Sequence, residues 1–143
     1  MKKSVLIIGG AGFVGLNLLK TLAEKNIYEL SLADDFSRGQ MDNSLSLLVK
    51  KYNIKVIKGD FTLPRSYDLL DKEYDQLYML ASVVGVNNTL ERPHEVIRIN
   101  TALIYNTLEW TKRATIKKIL YTSTSECYAG TIEAFGYKVP TPE

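Results

Sequence analysis

The 143 residues carry 18 Lys+Arg against 16 Asp+Glu, a formal charge of +2, with 45% hydrophobic and 24% charged residues. Those proportions exclude a disordered, collagenous or low-complexity chain, and one domain of this size buries a core without a disulfide or metal staple. Charges of both signs alternate along the chain, which argues against a basic nucleic-acid binder and against an acidic tail.

Short apolar runs alternate with longer amphipathic ones. Residues 5–8 (Val-Leu-Ile-Ile) read as a buried strand, closed by Gly9-Gly10-Ala11-Gly12. Val14, Leu18 and Leu22 then recur at helical spacing, predicting a helix over 13–25. A second strand is expected over 30–33, ending at Asp34-Asp35, and a short helix over 45–51. A third strand over 54–57 ends at Gly59-Asp60, and Pro64 opens a helix reaching about Leu70, because proline suits a first helical turn. A fourth strand is expected over 77–81, the longest helix over 93–113, and a fifth strand over 118–122. This alternation predicts an α/β fold, a parallel sheet with right-handed crossovers and helices on both faces.

The long helix carries two apolar stripes. Ile97, Ile104 and Leu108 form one; Val96, Ile99, Leu103 and Trp110 form the other. Together they cover a wider arc than a helix lying on a sheet needs. A neighbouring helix of the same fold is expected to cover the second stripe, or a subunit interface does, the two being compatible. After Tyr128, Gly130, Gly136, Pro140 and Pro142 with few periodic apolar residues read as a loop.

Cys127 and His94 are the single residues of their kinds, so no internal disulfide and no metal site is expected. No apolar run approaches the ~20 residues that span a bilayer. The start, Met1-Lys2-Lys3 before an apolar stretch quickly ended by glycine, is unlike a signal peptide. A cytoplasmic domain with no membrane or nucleic-acid partner is the expectation.

The glycine cluster is the strongest chemical signal. Gly9, Gly12 and Gly15 have G-x-x-G-x-x-G spacing between a strand and a helix. Gly9 permits a tight turn, Gly12 lets the backbone approach a pyrophosphate, and Gly15 allows close helix–strand packing. The first N–H groups of the helix, at Phe13 and Val14, then face an anion. Nineteen residues after Gly15 stands Asp34, where a carboxylate accepts both ribose hydroxyls of an adenosine and repels a 2′-phosphate. The competing reading is an ordinary glycine turn with an unrelated acidic strand end, against which strand, helix and acid fall in order. A P-loop is excluded because no Gly-Lys-Ser/Thr follows. At the fifth strand's end, Thr124 can donate to and accept from a sugar hydroxyl, and Glu126 can exchange a proton; alternatively, Thr and Ser cap the loop and Glu126 is solvated.

The run Gly9-Gly10-Ala11-Gly12-Phe13-Val14-Gly15 with Asp34-Asp35-Phe36-Ser37-Arg38-Gly39 resembles the extended short-chain dehydrogenase/reductase family of nucleotide-sugar epimerases, dehydratases and decarboxylases. Further matches cover the chain. Gly59-Asp60-Phe61 resembles the segment whose Asp meets the adenine. Leu80-Ala81-Ser82 resembles the strand end on the nicotinamide side, with Met79 where the family has His. Asn100 matches the Asn that supports the active site, and 121–128 resembles the family's Ser/Thr-rich strand, with Cys127 and Ala129 as departures. The resemblance implies a Rossmann-type doubly wound sheet, of which five strands are present and the C-terminal part is missing. It implies NAD as cofactor, held by Gly9, Gly12, Phe13, Val14, Gly15, Asp34, Asp35, Ser37, Arg38, Asp60, Phe61, Leu80, Ala81, Ser82 and Asn100. It further implies Thr124 and Glu126 as catalytic residues, Val84, Gly85 and Ser125 on the substrate side, a nucleotide-sugar substrate, and a homodimer through the helix 93–113.

Thr124-Ser125-Glu126 resembles UDP-glucuronate decarboxylases and GDP-mannose 4,6-dehydratases more than the Thr-Asp-Glu of dTDP-glucose dehydratases, and the Gly-Gly-Ala-Gly-Phe-Val-Gly loop resembles the decarboxylases. The family's catalytic Tyr-x-x-x-Lys is not among these residues: none of the nine tyrosines has Lys four positions on. The expectation is an incomplete NAD-binding domain over 1–128, then a loop over 129–143 leading toward an absent catalytic helix and substrate domain. The chain alone is then inactive. A naturally short, non-catalytic dinucleotide-binding or regulatory module is the alternative.

Overall fold

The computed structural model describes residues 2–124. Its elements run β1 (Lys3–Ile8), α1 (Phe13–Lys25), β2 (Tyr28–Asp34), α2 (Asn43–Tyr52), β3 (Lys55–Lys58), a 3-10 helix (Pro64–Leu69), β4 (Glu73–Tyr74), β5 (Gln76–Met79), α3 (Val86–Glu91), α4 (Pro93–Thr111), β6 (Thr115–Ile116) and β7 (Ile119–Tyr121). Five strands form one parallel sheet in the order β3-β2-β1-β5-β7. The order reverses at β1, the doubly wound arrangement, which opens a crevice at the carboxyl ends of the strands.

β1 sits at the centre, and its uninterrupted apolar run follows from burial on both faces. Val5 and Ile7 join the α1/α2 side with Leu19, Leu22, Leu32 and Leu45. Leu6 and Ile8 join the other side with Tyr67, Leu77, Met79, Leu103 and Trp110. Residues alternate across a strand, so one strand supplies both cores.

The segment after Pro64 is a 3-10 rather than an α-helix, and Tyr67 is its anchor. The ring is 2% exposed, stands edge-on to Phe61 at 5.3 Å, and its hydroxyl lies 2.9 Å from Thr107 Oγ1. Thr107 Oγ1 in turn donates to the Leu103 carbonyl at 2.7 Å. This polar link sits inside the stripe that faces the sheet. The stripe of Ile99, Leu103 and Trp110, expected beneath a neighbouring helix, is the one packed on the sheet; Ile97, Tyr105 and Leu108 point outward and are exposed. The apolar pattern misplaced the helix phase because Thr107, a buried polar residue with its partners supplied, belongs to the inner stripe. Two further elements went unread: the two-stranded sheet β4-β6 and α3. No helix among the described residues is long and apolar enough to cross a membrane.

Burial pushes the Tyr67 phenol up to about 12, against the opposing hydrogen bond with Thr107, and raises Tyr74 as well. An unfolded tyrosine ionises near 10, so above that pH the unfolded chain gives up a proton the folded chain keeps. Stability is therefore full below about pH 10 and falls as pH rises toward about 12, by at most about 1.4 kcal/mol per unit for Tyr67. Denaturant unfolding across this window should show a shallower loss for Tyr67→Phe than for the parent. Equal slopes would assign the loss elsewhere.

Candidate functional site

A cleft of about 680 Å³ lies at the carboxyl ends of the central strands. Its floor is the glycine loop between β1 and α1. Gly9 turns the chain at φ 87, and a Cβ there would meet the Ala81 backbone nitrogen at 2.5 Å, so the loop crosses directly over the end of β5. Gly15 has no room for a side chain either, being seated on the Gly9 carbonyl and Gly10 backbone. Gly12 differs: a Cβ there would meet only the Gly9 carbonyl, at 3.5 Å. It is the N-cap of α1, with no side-chain hydrogen bond. The helix thus presents its first-turn N–H groups to the cleft beside exposed Phe13 and Val14. An open glycine at an uncapped helix N-terminus is a cradle for a phosphate group, so these residues fit a dinucleotide.

The second wall is the end of β2. Asp34 is 9% exposed. Its Oδ2 accepts from the Ala11 N–H at 2.9 Å and its Oδ1 from the Phe36 N–H at 2.8 Å. The carboxylate therefore braces the glycine loop, a duty the sequence did not disclose, while each oxygen keeps a lone pair for a further donor. Asp35 Oδ1 accepts from both the N–H and the hydroxyl of Ser37, at 2.8 and 2.7 Å. Asp35, Ser37 and Arg38 all line the cleft.

The third wall is the turn after β3. Asp60 Oδ1 accepts from the Thr62 N–H at 2.9 Å and its hydroxyl at 2.6 Å. The Ser66 hydroxyl donates to the Asp60 carbonyl at 2.6 Å, and Asn106 of α4 donates to the Thr62 carbonyl at 2.8 Å. These bonds hold buried Phe61 at the cleft wall. Leu80, Ala81, Ser82 and Val84 line the opposite side.

Three expected residues stand off the cleft. Asn100 accepts from the Val83 N–H at 2.8 Å and donates to the Val83 carbonyl at 3.0 Å, so its amide fixes a wall residue. Gly85 is the N-cap of α3, and its φ of 114 accounts for the glycine. Thr124 follows β7 just past Thr122 and Ser123, which do line the cleft. Ser125 and Glu126 lie outside the described residues. Ile8, Ala11, Gly39, Gly59, Thr62, Val83, Ile99 and Leu103 also line the cleft and were not named as site residues from the sequence. Thr62 alone had a local signal, its spacing two residues after an Asp in a turn.

A family model for the NAD dependent epimerase/dehydratase family matches residues 5–141. The UDP-N-acetyl-alpha-D-glucosaminuronate decarboxylase of Bacillus cytotoxicus is 32% identical over 128 residues, covering 90% of this chain and 38% of that protein. UDP-glucuronic acid decarboxylase 5 of Arabidopsis thaliana is 36% identical over 124 residues, covering 87% of this chain and 34% of that protein. The solved UDP-Glc/GlcNAc 4-epimerase from Campylobacter jejuni shares the fold, with a TM-score of 0.80 at 23% identity over 88% of this chain and 38% of that one. The chain spans well under half the length of these relatives.

Proposed function

This chain belongs to the NAD-dependent epimerase/dehydratase family, and from that premise we propose that it forms the dinucleotide-binding part of a cytoplasmic enzyme acting on a nucleotide sugar. The observation that carries the reading is the cleft: open Gly12, the uncapped start of α1 and the Asp34 carboxylate converge on one rim of the sheet. When bound, NAD, the family's cofactor, would supply a hydride acceptor for the transient oxidation of a sugar hydroxyl. The first-turn N–H groups of α1 bind the anionic pyrophosphate, Asp34 accepts from the ribose, and the Asp60–Thr62 turn bounds the adenine side. Val84 lines the cleft, and the family resemblance assigns it, with Gly85 and Ser125, to substrate binding.

Thr124 orients the sugar hydroxyl, and Glu126 exchanges a proton with the substrate. Among epimerisation, dehydration and decarboxylation, the last is favoured by Thr124-Ser125-Glu126 and by the UDP-sugar decarboxylases among the relatives. The family's Tyr-x-x-x-Lys pair does not occur in these 143 residues, so we propose that it is supplied from outside them. The exposed Ile97, Tyr105 and Leu108 support a homodimer through 93–113.

Two titrations and one assay test the reading. The chain should bind NAD more tightly than NADP, and equal or tighter NADP binding would overturn the role of Asp34. It should convert no UDP-sugar, since a positioned acid–base group is worth ~10²–10⁴-fold. Turnover at the rate of an intact relative would overturn the placement of the acid–base pair.

A further inference from the structure

The β2–α2 connection closes on the glycine loop at a position where no side chain fits. Gly39 lies against Ala11 so closely that a Cβ on it would overlap the Ala11 carbonyl and side chain. Its backbone is not in the left-handed region that Gly9 and Gly85 occupy, so proximity alone demands glycine. On its other side, Ala11 donates its N–H to Asp34. Between these contacts Phe36 holds a left-handed φ of 59, unusual for a bulky side chain, with its N–H tied back to Asp34. Residues 34–39 thus grip Ala11 at both its N–H and its carbonyl, and Ala11, Asp34, Arg38 and Gly39 all line the cleft.

Resting on the NAD reading above, we propose that Gly39 is a specificity-determining residue. Its seat on Ala11 holds the 34–39 turn down beside Asp34, and the closed turn leaves no room for a 2′-phosphate on the adenosine ribose. A 2′-phosphate brings strong negative charge and three acceptor oxygens next to a carboxylate already fixed by two N–H donors. Lifting the turn moves Asp34 away and leaves exposed Arg38, which lines the cleft, to meet the phosphate. Any side chain at position 39 forces that lift.

The test is calorimetric titration of the parent and Gly39→Ala with NAD and with NADP. Gly39→Ala should weaken NAD binding about tenfold, the size of one charge-assisted hydrogen bond, and leave NADP binding equal or tighter. A drop shared equally by both cofactors, or no change in either, overturns the proposal. Absence of NAD binding to the parent overturns the NAD reading instead. Should Gly39→Ala fail to fold, amide exchange in the parent decides. The Ala11 and Phe36 amides should be protected in the free chain and slowed further by NAD but not by NADP. Unprotected amides, or equal slowing by both, overturn the proposal.

Discussion

Gly9→Ala is expected to cost about 3 kcal/mol or more of folding stability, whereas Gly12→Ala costs about 1 kcal/mol or less, although both glycines belong to one motif. The difference lies in the space around each Cα. At Gly9 the backbone has φ 87, and a methyl group would press on the Ala81 nitrogen and Cα and the Leu80 carbonyl carbon. None of these atoms is the end of a flexible side chain. The Gly9 N–H also donates to the Ala33 carbonyl at 2.8 Å, and Ala81 donates to the Ile8 carbonyl at 3.0 Å. Relief of the clash therefore breaks the junction of three strands, a large fraction of the ~5–15 kcal/mol that holds an ordinary domain together. Gly12 has φ −70 and ψ 170, which any residue adopts, and open space beyond. Its methyl group would instead occupy the cradle of α1, so Gly12→Ala should keep the fold and lose NAD affinity by about tenfold or more. Denaturant unfolding and NAD titration of both variants check the pair. A stable Gly9→Ala, or a Gly12→Ala that binds NAD like the parent, would remove the division of labour within the loop.

The sequence could show this loop because its requirement is local: three glycines spaced between a strand and a helix. It could show the strand β1 for a related reason, since burial on both faces leaves an uninterrupted apolar run. What it could not show are groups whose partners are far away in the chain. β4 and β6 are two residues each and pair across some forty positions, so neither has a periodicity to read. Thr107 is polar in sequence, and its partner Tyr67 on another element makes it an inner residue. Asn100 was read toward the cofactor, and its amide is found bonded to the Val83 backbone. The site's addresses were legible, but which polar groups face inward depends on tertiary geometry. Asp34 is the sharpest instance, being read as a ribose acceptor and found bonded to the loop beneath it.

Asp34→Asn separates those two duties. If Asp34 only met a ribose, the free variant would be as stable as the parent and would simply bind NAD less well. The geometry predicts otherwise. Both carboxylate oxygens accept backbone N–H groups, from Ala11 at 2.9 Å and Phe36 at 2.8 Å, in a residue 9% exposed. Asparagine offers one oxygen, so its amide N–H₂ must face one of the two backbone donors. One buried N–H then loses its acceptor and the other loses a charged one, a combined cost of about 2–4 kcal/mol. The loss at Phe36 releases a strained left-handed residue, and the loss at Ala11 frees the floor of the cleft. Free Asp34→Asn should therefore unfold at lower denaturant than the parent, and its NAD affinity should fall by about a hundredfold, since loop order and the ribose contact go together. At equal NAD concentration the stability gap to the parent should widen, because ligand binding stabilises as RT ln(1 + [L]/Kd) and Kd has risen. An Asp34→Asn chain that matches the parent's stability without NAD would return Asp34 to the ribose alone and leave the glycine loop braced by Gly39 and the strand ends.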